Sequence, residues 1–202
     1  MNKLHVLLVT ILLLIMPSCI GIRKNVDISL KSNYISFDKV KLKIINNSIG
    51  FKSVGHIYLI KDSLISFKFW GPLGFELVKG EYNNNLNFYS YFDKKDYTNF
   101  DKKIFSTYHF KINRNSVEYL LLGDKLQFIS EINKLNKDNS NIEINQSSNL
   151  ILIKDTSENT KITIRFQMKY NYPKHIDILL EDNNGKMNIG IEISSINNTK
   201  VN

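Results

Sequence analysis

Alternation with a period of two runs through most of this 202-residue chain and limits it to a β architecture. Successive side chains of a strand point to opposite faces, so apolar residues at every second position give a sheet one buried face. Val40, Leu42 and Ile44 alternate with lysines, Ile65, Phe67 and Phe69 alternate with Ser66 and Lys68, and Ile162, Ile164, Phe166, Met168 and Tyr170 share one face. A strand at Val54–Ile60 runs into the turn Lys61-Asp62-Ser63. Strands at Phe75–Glu81 and Leu86–Phe92 end in Asn83-Asn84-Asn85 and Asp93-Lys94-Lys95-Asp96, where Asn and Asp supply turn chemistry. The same rhythm predicts strands at Leu126–Ile132, Leu150–Lys154, Ile162–Tyr170, Ile176–Glu181 and Met187–Ile193, the last two joined as a hairpin by Asp182-Asn183-Asn184-Gly185. Two short helices interrupt the meander, at 100–108 and at Ser116–Gly123, with Ser116 as cap and Gly123 as a left-handed stop. No internal repeat is visible. The fold class is mainly β with a few short helices: a strongly curved antiparallel sheet covered on its concave side by helices.

The N-terminus carries a different signal. Met1-Asn2-Lys3 is followed by the apolar run Val6–Ile15, then Met16-Pro17-Ser18-Cys19, with Cys19 the only cysteine. Charged start, apolar stretch and a small residue at the cut site make an export signal. A cysteine directly after that small residue resembles a bacterial lipobox. That pattern implies cleavage before Cys19 and acylation of its thiol and amine, each buried CH₂ contributing about 0.8 kcal/mol to anchoring. An ordinary cleaved signal and an uncleaved anchor are the competing readings. Length opposes the anchor, because a span needs about 20 apolar residues and Pro17 and Ser18 break the run.

About 180 residues then remain, the size of one domain. A lone cysteine excludes a disulfide within the chain. The formal charge of +8 raises nucleic acid or an anionic bilayer as partners. Export removes nucleic acid, and the lysines are spread along alternating positions, so the charge is a solvated face with affinity for anionic head groups. His56, His109 and His175 lie at no ligand spacing, and neither a phosphate loop, a nucleophile elbow nor a carboxylate pair is present. The chain is read as a non-enzyme without metal or cofactor.

One loop stands apart, Phe69-Trp70-Gly71-Pro72-Leu73-Gly74-Phe75, with the only tryptophan. Pro72 suits the second place of a β-turn and Gly74 the fourth, which carries Leu73 at the tip. A tip leucine serves a loop that touches acyl chains or a partner. The alternative, slightly favoured by pattern alone, is that Leu73 folds back onto the core.

From this loop onward the order of motifs resembles LolB, the outer-membrane receptor for lipoproteins: Gly71-Pro72-Leu73-Gly74, the strand Phe75-Glu76-Leu77-Val78, a strand pair, a helix, then Val117-Glu118-Tyr119-Leu120-Leu121-Leu122-Gly123. It resembles still more a group of Bacteroidetes lipoproteins in the same LolA/LolB-like superfamily, in which Lys61-Asp62-Ser63-Leu64-Ile65 matches a recurrent motif. The likeness spans roughly residues 35 to 200. Gly71 stands where LolB proteins carry asparagine, and the Asn-rich segment Asn136–Asn149 has no counterpart there.

The resemblance implies a half-open antiparallel β-barrel with a helical lid over an apolar cavity. The lipobox and the weakly patterned polar stretch after it give signal peptide 1–18 and acylated tether 19–33, ahead of a half-barrel domain 34–197 and a tail 198–202. The implied function is lipid handling: a monomer receives lipoproteins or other lipids by their acyl chains, and whether a LolA-like periplasmic carrier hands them over stays open. Its place is the outer membrane, lipid-anchored through Cys19 and facing the periplasm, because Ile20-Gly21-Ile22-Arg23-Lys24 carries no acidic residue of the kind that retains or exports lipoproteins. Insertion falls to the loop Trp70, Gly71, Pro72, Leu73 and Gly74. Phe51, Ile65, Phe67, Phe88 and Phe166 are candidates to line the cavity. The alternative is a scaffold lipoprotein of an envelope complex without lipid transfer.

Overall fold

The computed structural model describes residues 34–46, 49–102, 110–157, 159–169, 172–183 and 185–199. The signal peptide, Cys19 and the tether, most of the 100–108 helix, His109 and residues 200–202 lie outside the described residues.

Among the described residues, twelve strands form one antiparallel sheet: β1 Tyr34–Asn46, β2 Ile49–Ile60, β3 Leu64–Trp70, β4 Glu76–Tyr82, β5 Leu86–Ser90, β6 Lys95–Tyr97, β7 Ile142–Ser147, β8 Leu150–Asp155, β9 Thr160–Lys169, β10 Tyr172–Asp182, β11 Gly185–Glu192 and β12 Ser195–Thr199. Their spatial order is β6-β5-β4-β3-β2-β1-β11-β10-β9-β8-β7, with β12 pairing β1 off this path. The edges β6 and β7 do not meet, so the sheet stays open. At its centre, β1 pairs β2 along one side. On the other side its first half, Tyr34–Asp38, pairs β12 and its second half, Lys41–Asn46, pairs β11. The change of partner falls at Lys39, whose φ of 53° and the register shift between Phe37 and Val40 mark a bulge. Bulges bend and twist a strand, which lets one strand serve two neighbours in succession.

Helices α1 (Arg114–Leu122) and α2 (Lys125–Leu135) pack on one face of this sheet. Their contacts show that the sheet wraps round them. In α1, Leu120 joins a cluster with Phe128 and Ile132 of α2 and Ile151, Ile164, Phe166 and Ile176 of β8, β9 and β10. The next residue, Leu121, joins a separate cluster with Phe37, Leu59, Ile65 and Phe69 of β1, β2 and β3. In sheet order β3 and β10 are four strands apart, about 19 Å at the usual spacing if the sheet were flat. A helix is only about 10 Å across with its side chains. Adjacent leucines reach both halves because the sheet curves into a half-barrel with α1 in its trough, the predicted architecture.

The helix starts depart from the sequence reading. The cap of α1 is Asn113, which accepts from the Ser116 amide at 2.9 Å, while the Ser116 hydroxyl accepts from the Asn113 amide at 3.0 Å. Ser116 is therefore the third helical residue of a capping box. Gly123 does end the helix, at φ 72°. The strand predicted at Leu126–Ile132 is helix α2. Phe128 and Ile132, four residues apart, fit both periods, while Leu126 fits only the strand; Asp124 caps the segment by accepting from the Gln127 amide at 3.1 Å. Phe128 and Ile132, one turn apart, are buried, whereas Leu126 is 73% exposed. Beyond α2, the Asn-rich segment is ordered structure. Asn136 bonds both the amide and the carbonyl of Lys111, at 2.9 and 3.2 Å, and β7 follows.

Candidate functional site

The loop between β3 and β4 is a rigid three-residue tip. Gly71 donates to the Phe75 carbonyl at 2.9 Å, and Gly74 donates back to the Gly71 carbonyl at 3.0 Å. Pro72 thus occupies the second place of the turn, where its fixed φ costs nothing, and Gly74 takes a φ of 79° that glycine adopts without strain. Leu73 does not fold back: it is 84% exposed, and Phe75 is 70% exposed. A second turn projects from the same end of the sheet, since the end of β5 lies beside the start of β4. It presents Phe92, 89% exposed, beyond the end of β5, although the alternation of the sequence carries the strand on to this residue.

A polar clasp holds the base of the two turns together. Lys68 pairs with Glu76, and its ammonium lies 5.5 Å from the centre of the Trp70 ring. Lys79 lies 5.6 Å from the centre of the Tyr91 ring, and the Tyr91 amide donates to the Leu77 carbonyl at 2.9 Å. Burial pushes the Glu76 carboxyl up, but hydrogen bonds from Lys68 and Tyr91 and the charges of Lys68 and Lys79 outweigh it and hold the group below its ordinary range.

The concave face carries the second element. All five proposed cavity residues face this side, but they differ in environment. Ile65 and Phe166 are sealed in the two core clusters, Phe67 packs against one of them, and Phe88 stacks on Tyr97 at 4.8 Å and meets Phe100 edge-on at 5.0 Å. Phe51 belongs to a continuous apolar row, Phe51–Ile44–Ile189–Ile178–Ile164–Ile151, across β2, β1, β11, β10, β9 and β8. Its β8–β9 end is buried in the cluster with α2, while Ile178, Ile189, Ile44 and Phe51 are only half-buried. Ile44, Ile178 and Ile189 are apolar wall residues that the sequence reading did not single out. Their alternation was visible, but the alignment of four strands at one level was not.

On the convex face, a groove of about 710 Å³ lies between the Gly71–Gly74 loop and the strands β2, β1, β11 and β10. One row across its floor is Trp70–Val54–Lys41–Glu192–His175, and the next is Lys52–Lys43–Gly190–Asp177. Lys41 is paired with Glu192 at 3.0 Å, and His175 lies 3.2 Å from Asp177. Next to the groove, His56 contacts Asp38 at 2.9 Å and meets the Trp70 ring edge-on at 5.4 Å. Burial pushes the Asp38 carboxyl up, but hydrogen bonds from His56, Ser36 and Asn197 hold it below its ordinary range. No group of three or more His, Cys, Asp or Glu side chains able to hold a metal occurs among the described residues.

These features define an open antiparallel half-barrel with a helix-filled trough, an apolar concave wall and exposed apolar turns at one end. No family model matches the chain, and no curated protein matches it. Among solved structures it is similar to an outer membrane lipoprotein-sorting protein domain from Vibrio parahaemolyticus, at 6% identity over 86% of this chain and 88% of that one, with a TM-score of 0.38. It is also similar to a DUF1329 family protein from Desulfovibrio piger, at 10% identity over 85% and 88%, with a TM-score of 0.38. Neither overlap is close enough to assign a function.

Proposed function

We propose that this protein is an outer-membrane-anchored lipoprotein that receives lipoproteins by their acyl chains and inserts them into the outer membrane. The observation that carries the reading is Leu73, held almost fully exposed on a rigid turn. An exposed leucine on an ordered tip gains nothing from water, and its use is to enter an apolar medium. Three further features support the reading. The half-buried row Phe51–Ile44–Ile189–Ile178 offers an apolar wall of the kind acyl chains need, and it lies toward the end of the sheet from which Leu73 projects. The lipobox at Cys19 supplies an anchor, and the motif order resembles LolB. The role is one of binding and transfer, with no bond made or broken.

Depletion of the protein, followed by fractionation of all lipoproteins between inner and outer membranes, tests it. Retention of outer-membrane lipoproteins at the inner membrane is the expected result. An unchanged distribution, with loss of one envelope complex instead, overturns lipid transfer in favour of a scaffold.

A further inference from the structure

The convex-face groove behind the Pro72 loop lies apart from the apolar wall of that function, and its composition is unusual for a sheet surface. Lys43 and Lys52 are direct cross-strand neighbours on β1 and β2. Like charges placed directly opposite each other destabilise a strand pair. Each other titratable group of the groove has an opposite: Lys41 has Glu192, and Asp177 has His175. Lys43 and Lys52 form no ion pair among the described residues, which leaves two lysines at neighbouring register positions in the groove lining without an acidic partner.

The rest of the groove is shaped to hold an apolar body. Trp70 and Pro72 form one side, Val54 lies on the floor between them and the Lys43–Lys52 row, and Ile45 lies beyond that row. Gly190 sits in the row between Lys43 and Asp177 and leaves a depression that any other residue would fill. A Cβ there would approach nothing closer than 3.4 Å, so the glycine is not required by packing. A volume of about 710 Å³ falls within the usual range for small-molecule sites, which combine apolar walls with a few placed polar groups.

We infer that this groove binds a single acyl chain carrying a phosphate head. The phosphate bridges the ammonium groups of Lys43 and Lys52, relieving their repulsion, and lysine serves phosphate as a point-charge donor. From there the chain runs toward the loop, along Val54, Trp70 and Pro72. The site is on the opposite face of the sheet from the apolar wall of the proposed transfer function and shares with that function only the Trp70–Gly74 loop.

The full-length acylated protein in phosphatidylcholine nanodiscs tests the site, with empty nanodiscs as the blank. Trp70 is the only tryptophan, so its emission reports the groove directly, and calorimetry records binding in parallel. Octyl phosphate is expected to bind saturably and to shift Trp70 emission to the blue, with inorganic phosphate and octyl glucoside each at least tenfold weaker. Lys43→Gln with Lys52→Gln should lose at least tenfold in affinity while the melting temperature holds or rises. Gly190→Val should abolish binding with both lysines present, and Leu73→Glu should leave it unchanged. Equal binding of inorganic phosphate overturns the acyl component, and equal binding of octyl glucoside overturns the anionic one. Binding that survives both the lysine and the Gly190 substitutions places the ligand elsewhere, and absence of heat with octyl phosphate removes the site.

Discussion

Replacing Leu73 tests the exposed turn with numbers the structure supplies. Burying a leucine side chain fully is worth about 1.5–3 kcal/mol, and Leu73 is 84% exposed, so insertion of the tip gains about 2 kcal/mol. Leu73→Ala forfeits most of that, which at 1.4 kcal/mol per decade weakens insertion roughly 20-fold. Leu73→Glu goes further, since moving a carboxylate into the acyl region costs several kcal/mol more and excludes the tip. Both substitutions leave the turn intact, because its hydrogen bonds run between Gly71, Gly74 and Phe75 and use no atom of the Leu73 side chain. Stability should therefore change by less than about 0.5 kcal/mol, or roughly 2 °C in melting temperature for a domain of this size. The assay is transfer of palmitate-labelled outer-membrane lipoproteins from the full acylated protein to liposomes, with thermal unfolding recorded on the same samples. Transfer should fall steeply from wild type to Leu73→Ala and vanish for Leu73→Glu. Full transfer by the glutamate variant would refute the insertion argument. A fall of more than about 5 °C in melting temperature would instead show that Leu73 supports the fold.

Glu118 is 1% exposed, ion-paired with buried Arg114 and accepting the Asp62 amide at 3.1 Å. Glu118→Ala leaves the guanidinium buried without its partner and should destabilise by about 3–5 kcal/mol in denaturant titrations, whereas Arg114→Met with Glu118→Leu should recover most of that loss. Asp38 is held below its ordinary value near 3.8, so its contribution to stability is complete above that pH and is lost as pH falls toward the depressed folded value. Melting curves should show this acid-side loss, and Asp38→Asn should make it shallower. Cys19→Ala should abolish incorporation of labelled palmitate, and label that persists would place the acyl group elsewhere.

The parts of this fold legible in the sequence are those where one strand decides the pattern. Ile65, Phe67 and Phe69 point inward as their alternation requires, and Pro72 and Gly74 take the turn positions that their own backbone limits dictate. Failure came where two periods coincide. Phe128 and Ile132 satisfy a strand and a helix equally, Leu126 adds a match to the strand alone, and the deciding group is the Asp124 cap just outside the run. Short strands such as β6, three residues with a single half-buried side chain, carry too little apolar pattern to register, because pairing with β5 places them. The candidate site divides in the same way. The Leu73 tip depends on local turn chemistry and could be found, whereas the apolar row and the Lys43–Lys52 pair depend on register between strands distant in sequence.

The bulge at Lys39 ties both faces of the half-barrel to one residue. Before it, Phe37 points into the trough while Ser36 and Asp38 point out. After it, Val40 and Leu42 point in while Lys41 and Lys43 point out. The extra residue therefore switches the inward positions from odd to even. Without that switch, β1 would bring Lys41 and Lys43 to the concave wall, since a one-residue slip exchanges every side chain between faces. Lys39 takes its positive φ where β1 passes from β12 to β11. One bulge thus gives the central strand an apolar inner row ending at Ile44 and a cationic outer row at Lys41 and Lys43. The concave wall and the convex groove are two consequences of a single register.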